Sequence, residues 1–342
     1  MKAVFINPQE HRLRAGWRLL LQLLVFLLIT FLVQIPLGIL LAALPNLTSA
    51  SNLWLQFLLR PLTGLISLAA MGFSYWLAAR FFDRRPVRDF GFHFSPRWWS
   101  DFGFGLFLGA FLMVLIFAVE YALGWVTITA VRYHAFTSIP FGLGLASSLL
   151  FYICVGFYEE MLSRGYHLRN LAEGFNLGRR SPKTAIFLAY LLSSSIFGLL
   201  HLFNPNSSLI STFNLILAGI FLGFAYVLTG ELAIPIGLHI TWNFFQGSIF
   251  GFPVSGGTPA VAWLALRQGG PDLWTGAAFG PEAGLLGLLA MFLGILLTAG
   301  WLRLRGQPLA VHTRLAEYQP PEIPAPKGDT SDENLGNFNH LT

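Results

Sequence analysis

A single cysteine, Cys154, stands in 342 residues. It excludes an intrachain disulfide and any cysteine-rich metal site. Charge is scarce as well. Asp, Glu, Lys and Arg together make up 11% of the chain, where a soluble domain carries about 25%. No tandem repeat or low-complexity array is present. The HExxH signature of zinc-protease helices is missing, and so is a serine nucleophile motif.

What is present is apolar. Hydrophobic residues make up 55% of the chain and mean hydropathy is +0.62, which reads as an all-α, polytopic membrane protein. The net charge of +5 requires no nucleic acid, because positive-inside bias and anionic lipid account for Lys and Arg in short loops. A span needs about 20 apolar residues. That ruler predicts eight, at 17–44, 62–82, 102–123, 142–164, 184–203, 209–228, 233–249 and 283–302. The second is expected to follow an interfacial piece, 53–60, ended by Pro61. The first run is too long for a signal peptide's apolar region of about 7–15 residues, so it is expected to stay as a span. Lipid admits helices or closed barrels, and barrel strands would be shorter and alternating.

Arg80 at the end of the second span is followed by Arg84, Arg85, Arg88 and Arg97 before the third, and Lys183 falls between the fourth and fifth. The segments "LPNLTSASN" and "FNPNSS" on the other side carry no charge. Both termini are therefore expected in the cytoplasm. Residues 1–16 form a short N-terminal segment and 17–305 the membrane domain. The Gly-, Pro- and Trp-rich stretch 250–282 reads as interfacial on the outer side, and 306–342 as a disordered tail.

Ionisable groups inside lipid are costly and face a cavity or one another. Of eight histidines, only His201 and His239 fall in apolar spans. Glu159 and Glu160 are the carboxylates there, with Glu120 at the outer edge of its span and read as interfacial. Glu160 and Arg164 are i, i+4 neighbours and can pair. Glu159 points about 100° away, on a face whose small residues Gly156 and Ser163 are expected to leave room. Phe197 and His201 share a face of the fifth span, and His239, Asn243 and Gln246 share one of the seventh. If the fourth helix runs on to Glu173, Glu159 lies ~21 Å from the turn and His201 ~28 Å from it, so the two can meet. A carboxylate beside a histidine can deprotonate water, directly or by holding a divalent metal. A second His and an Asn can donate to a developing oxyanion. Such parts suit amide hydrolysis.

"EEMLSR" (159–164) matches an EExxxR motif, "FGLLH" (197–201) FxxxH, and "HITWN" (239–243) HxxxN. In that order they resemble the CPBP, or Abi, family of intramembrane proteases, which includes type II CAAX prenyl endopeptidases and bacteriocin-processing proteins. The resemblance is specific over about 150–250. It implies an eight-helix fold with a cavity reached from the cytoplasm. It also implies that Glu159 and His201 activate water, that His239 and Asn243 form the oxyanion hole, and that Glu160, Arg164 and Phe197 support them. A divalent metal such as zinc, held by Glu159, His201 and His239, is an open alternative, as is prenylation of the protein or peptide substrate. The rival reading is a non-catalytic immunity or scaffolding protein. A proton-coupled transporter would show paired repeats or broken helices in both halves, and the sequence shows neither.

Overall fold

The computed structural model describes residues 2–43, 53–176, 178 and 181–320. Among these residues, seven helices are long and apolar enough to cross a membrane. They are α1 (Ala15–Ala43), α2 (Leu53–Leu77), α3 (Pro96–Ala122), α4 (Phe141–Glu160), α5 (Pro182–Leu200), α6 (Leu209–Thr229) and α8 (Leu285–Leu304). Helix α7 (Ala233–Phe244) occupies the expected seventh span. With twelve α-helical residues and five more in the π turns Phe245–Ile249, it falls short of the ~20 residues that a span needs. The chain is an integral, multi-pass membrane protein built of helices.

Pro61 does not end a separate piece, because α2 runs through it from Leu53. The proline lacks an N–H to donate, and Thr63 Oγ1 donates to the nearby carbonyl of Arg60 (2.8 Å). The expected extension of α4 is present: π turns Met161–Leu168 and a last stretch Arg169–Phe175 carry it onward without a break.

Successive helices alternate in direction, so the loops gather at two ends. One, the basic end, holds residues 84–95, the α4–α5 turn and the segment after α8. There Arg18 Nη1 pairs with Asp83 Oδ1 (2.9 Å), Arg12 Nη2 with Glu173 Oε2 (2.8 Å), and Arg85 Nη2 with Glu173 Oε1 (2.5 Å), all buried. Residues 307–320, expected to begin a disordered tail, fold back onto this network instead. Leu315 is fully buried, Asn176 Nδ2 donates to the Ala316 carbonyl, and the Arg12 guanidinium lies 3.6 Å from the Tyr318 ring centre. The rest of that tail, 321–342, and the segment 44–52 lie outside the described residues.

The other end carries a ribbon. Strand β1 (Val126–His134) pairs antiparallel with β2 (Val261–Gln268), from Val126↔Gln268 to His134↔Val261. The stretch 250–282, expected to be interfacial, thus contains a strand. Glu120, expected at the interface, is fully buried and accepts from Gln268 Nε2 of β2 (2.8 Å).

Glycines set the helix crossings that position the site. A Cβ on Gly109 of α3 would lie 2.4 Å from the Leu238 carbonyl, and one on Gly105 2.5 Å from that of Ile234. This small-xxx-small pair brings the α3 and α7 backbones together, as packing inside lipid favours. Gly219 of α6 meets Ser194 of α5 in the same way.

Candidate active site

Glu159 sits one residue before the end of regular α4, just ahead of the π turns. Such turns recur at functional sites because they shift the phase of the helix. His201 caps the C-terminus of α5 and so lies one residue beyond the helix rather than within a span. His239 and Asn243 lie one turn apart on α7. Together with Phe197 these residues line a cavity of about 440 Å³ that also borders α2 and the loops after α5 and α7. The expected cavity between the fourth, fifth and seventh helices is present.

The geometry converges on one atom. His201 Nε2 and His239 Nε2 each lie 3.9 Å from Glu159 Oε2. That is beyond hydrogen-bond reach and suits an intervening water. The other oxygen of Glu159 accepts from the Tyr158 hydroxyl (3.3 Å).

The two imidazoles differ in what holds Nδ1. His201 Nδ1 bonds the Phe197 carbonyl (2.8 Å), which fixes the ring with its Nε2 lone pair toward Glu159. His239 Nδ1 bonds Glu160 Oε1 (2.8 Å), a carboxylate oxygen that also accepts from Arg164 Nη1 (2.9 Å). A carboxylate partner supports an imidazolium, and a carbonyl suits a neutral ring. Glu160 and Arg164 thus form the expected pair, with His239 as a third member. Arg164 also donates to the Gly219 carbonyl (3.0 Å).

Phe197 is buried at the junction. Its ring centre lies 4.8 Å from that of His201 and 6.3 Å from that of His239, with the Arg164 guanidinium 4.5 Å from it. One aromatic side chain therefore orients both histidines. The amide of Asn243 forms no hydrogen bond among the described residues and is free to donate into the cavity.

Two expectations fail in detail. Gly156 does not leave room beside Glu159. A Cβ there would lie 2.6 Å from Ile240 Cγ1, so this glycine packs α4 against α7, and only Ser163 reaches the cavity. Gln246 turns away from His239 to bond Glu282 and the Pro253 carbonyl.

Three residues escaped sequence reasoning. Tyr158 gave no signal beyond adjacency to Glu159. Glu282, in the loop before α8, is buried, and its carboxylate accepts from the Ser255 N–H (2.5 Å). Burial pushes its carboxyl up to about 7, against the lowering by these donors. Arg60 was legible as an arginine in an apolar stretch. It borders the cavity, donates to the Tyr152 hydroxyl (3.3 Å), and has no carboxylate partner among the described residues.

Two imidazole nitrogens and a carboxylate are chemically apt for zinc, and the Nδ1 partners are those a zinc-bound histidine takes. Their spacing is wider than bound zinc requires. Four-coordinate zinc at about 2.0–2.1 Å brings its ligand atoms to roughly 3.3 Å from one another. Among the described residues no group of three His, Cys, Asp or Glu side chains has metal-holding geometry.

Comparison with known proteins bears on the same segment. An uncharacterized protein, YyaK of Bacillus subtilis (strain 168), is 26% identical over 199 residues, covering 54% of this chain and 63% of that protein. The alignment thus spans less than two thirds of that relative. No solved structure gives a significant match. Residues 141–245 match a family model described as type II CAAX prenyl endopeptidase Rce1-like. All seven motif residues, from Glu159 to Asn243, fall within it. Over that segment the chain is similar to the Rce1-like proteases, the family of intramembrane endopeptidases that its three motifs resemble.

Proposed function

We propose that this protein is an intramembrane endopeptidase that hydrolyses a peptide bond with a water activated by Glu159 and His201. The observation that carries the reading is the convergence of two imidazole Nε2 atoms on one oxygen of Glu159, each at 3.9 Å. A water in that gap gives its proton to Glu159, with the neutral His201 ring orienting it. The resulting hydroxide attacks the carbonyl carbon, whose oxygen takes the negative charge. Asn243 and the Nε2–H of His239 donate to that oxyanion, and Glu160 supports the imidazolium that this donation requires. The proton on Glu159 then passes to the departing amine as the C–N bond breaks. Tyr158, Phe197 and Arg164 hold the reacting groups in place.

The substrate is a protein or peptide segment that fits a cavity of about 440 Å³. A non-catalytic scaffolding role leaves the convergence on Glu159 without a purpose. The deciding experiment compares membrane proteomes of cells carrying wild-type protein and Glu159→Gln. A cleaved product present only with the wild type is the expected result, and identical peptide sets would refute the reading. Turnover that survives chelation fits direct activation. Loss on chelation with recovery on added zinc would instead put a metal among the three donors.

A further inference from the structure

The basic end carries more positive charge than its carboxylates balance. Arg12, Arg18 and Arg85 are buried there, and the buried acids that meet them are Asp83 and Glu173. Arg169 adds a fourth guanidinium, with Nε 3.5 Å from Glu173 Oε1. The remaining acid is Glu10, part-exposed, whose Oε2 lies 2.9 Å from Arg12 Nε. Arg12 Nη1 and Arg85 Nε are buried and have no hydrogen-bond partner among the described residues. Buried charge without a partner is costly, so this surplus calls for an anion.

A basin of about 880 Å³ opens beside the network, and His11, Arg80, Arg84, Arg85 and Tyr318 line it. Glu10 is the acid on its wall, and Arg12 already engages it. Arg80 and Arg84 are exposed, and neither guanidinium has a partner among the described residues. The rim is fixed in place. Tyr318 donates its hydroxyl to the Arg84 carbonyl (3.0 Å), at a residue in the left-handed region with φ 52°. The ring of Tyr318 also meets the guanidiniums of Arg12 at 3.6 Å and of Arg85 at 5.3 Å. Three separate stretches thus build the basin: the N-terminal segment, the loop after α2 and the segment after α8.

Its depth in the bilayer says what kind of anion fits. Arg80 lies near the end of the apolar stretch Phe57–Asp83, where a span passes from hydrocarbon to headgroups. Beside it, Trp76 and Phe81 are 51% and 60% exposed, with ring centres 6.4 Å apart. Aromatic rings favour that interfacial level. An acyl chain can lie along them while its phosphate reaches the arginines, whose planar forks match phosphate oxygens. Arg80, Arg84, Arg88, Arg97 and Lys183 gather at this end. Positive-inside bias assigns it to the cytoplasmic leaflet, the one rich in anionic lipid.

We propose that this basin binds the phosphate of an anionic phospholipid from the adjacent leaflet. Arg80 and Arg84 contact the phosphate, and Arg85 supplies charge behind them. The site is separate from the cavity around Glu159, and the proposal holds whether or not the protein is a protease.

The test titrates full-length protein in a neutral detergent with three probes: short-chain phosphatidylglycerol, phosphatidylcholine of the same chain length, and inorganic phosphate. Binding is read by thermophoresis. Phosphatidylglycerol is expected to bind saturably and far more tightly than the other two. Arg80→Gln and Arg84→Gln should each weaken it about fivefold, and the double variant about 25-fold, at roughly 1 kcal/mol per arginine near an anionic surface. Arg88→Gln is the control, because it removes the same charge from an exposed position outside the basin and should leave the affinity unchanged. Tm in detergent verifies folding of each variant. The Tyr318 contact uses the Arg84 backbone, so Arg84→Gln retains it, and Arg80→Gln tests the site independently. Equal affinity for phosphatidylcholine, or an equal loss in Arg88→Gln, overturns the proposal. Inorganic phosphate binding as tightly as the lipid would make this a free-anion site and overturn the lipid assignment.

Discussion

Glu160 Oε1 accepts the Nδ1–H of His239 at 2.8 Å while it also holds Arg164. The carboxylate therefore acts through the histidine and does not face the cavity. Glu160→Gln keeps the shape and removes the charge that supports an imidazolium. Turnover should fall by about 10²-fold, the magnitude typical of losing one oxyanion donor. A purely structural role would lower the yield of folded protein and leave the turnover of the folded fraction unchanged. Arg164→Leu differs in kind. It strands a buried carboxylate, and a loss of about 3–5 kcal/mol of stability is expected, read as a large drop in Tm in detergent.

His201 stands at the end of α5 with its side chain 15% exposed, so its removal leaves no sealed void. His201→Ala should reduce turnover by about 10²–10⁴-fold, the range for a positioned acid–base group, with Tm nearly unchanged. Equal losses of activity and folded protein would show that the ring is structural.

The motif residues were legible because ionisable groups in an apolar chain are few, and helical spacing alone separates Glu159 from Glu160. The meeting of His201 with Glu159 also followed from helix rise, since both were counted from the same hairpin. Other features had no local signature. The π turns after Glu160 contain Gly165, where a Cβ would lie 2.2 Å from the Tyr75 hydroxyl, and no spacing rule reports such an approach. Gly156 illustrates the converse. A small residue beside a candidate base suggests open space in the sequence, whereas in a membrane bundle it marks where another helix comes close. Strands β1 and β2 lie more than a hundred residues apart in sequence, so their pairing is written in neither segment alone.

Gly109 supplies a test of the crossing that carries His239. A methyl group there would lie 2.4 Å from both the Leu238 carbonyl and Thr241 Oγ1, and backbone cannot yield as a flexible side chain does. Gly109→Ala should cost about 1–3 kcal/mol, as overpacking does. It should also lower kcat, because displacing α7 moves His239 and Asn243 together. Gly103→Ala, on the same helix with nothing within 4 Å of its Cβ, is the matched control and should leave both quantities unchanged.

Glu282 gives the loop that walls the cavity a dependence on pH. Burial raises its carboxyl from 4.5 to about 7, so the folded state favours the protonated form. Its stabilising contribution is complete below pH 4.5, declines as pH rises through about 7, and is flat above that. A shift of this size corresponds to about 3 kcal/mol, counted as stability lost between those limits. Glu282→Gln imitates the neutral acid and removes the titration. The Tm of the wild type, measured in detergent from pH 4 to 9, should fall relative to that of the variant across this window and run parallel to it above pH 8. Parallel curves throughout would show that Glu282 stays ionised in the fold, held by Gln246 and the Ser255 N–H strongly enough to cancel its burial.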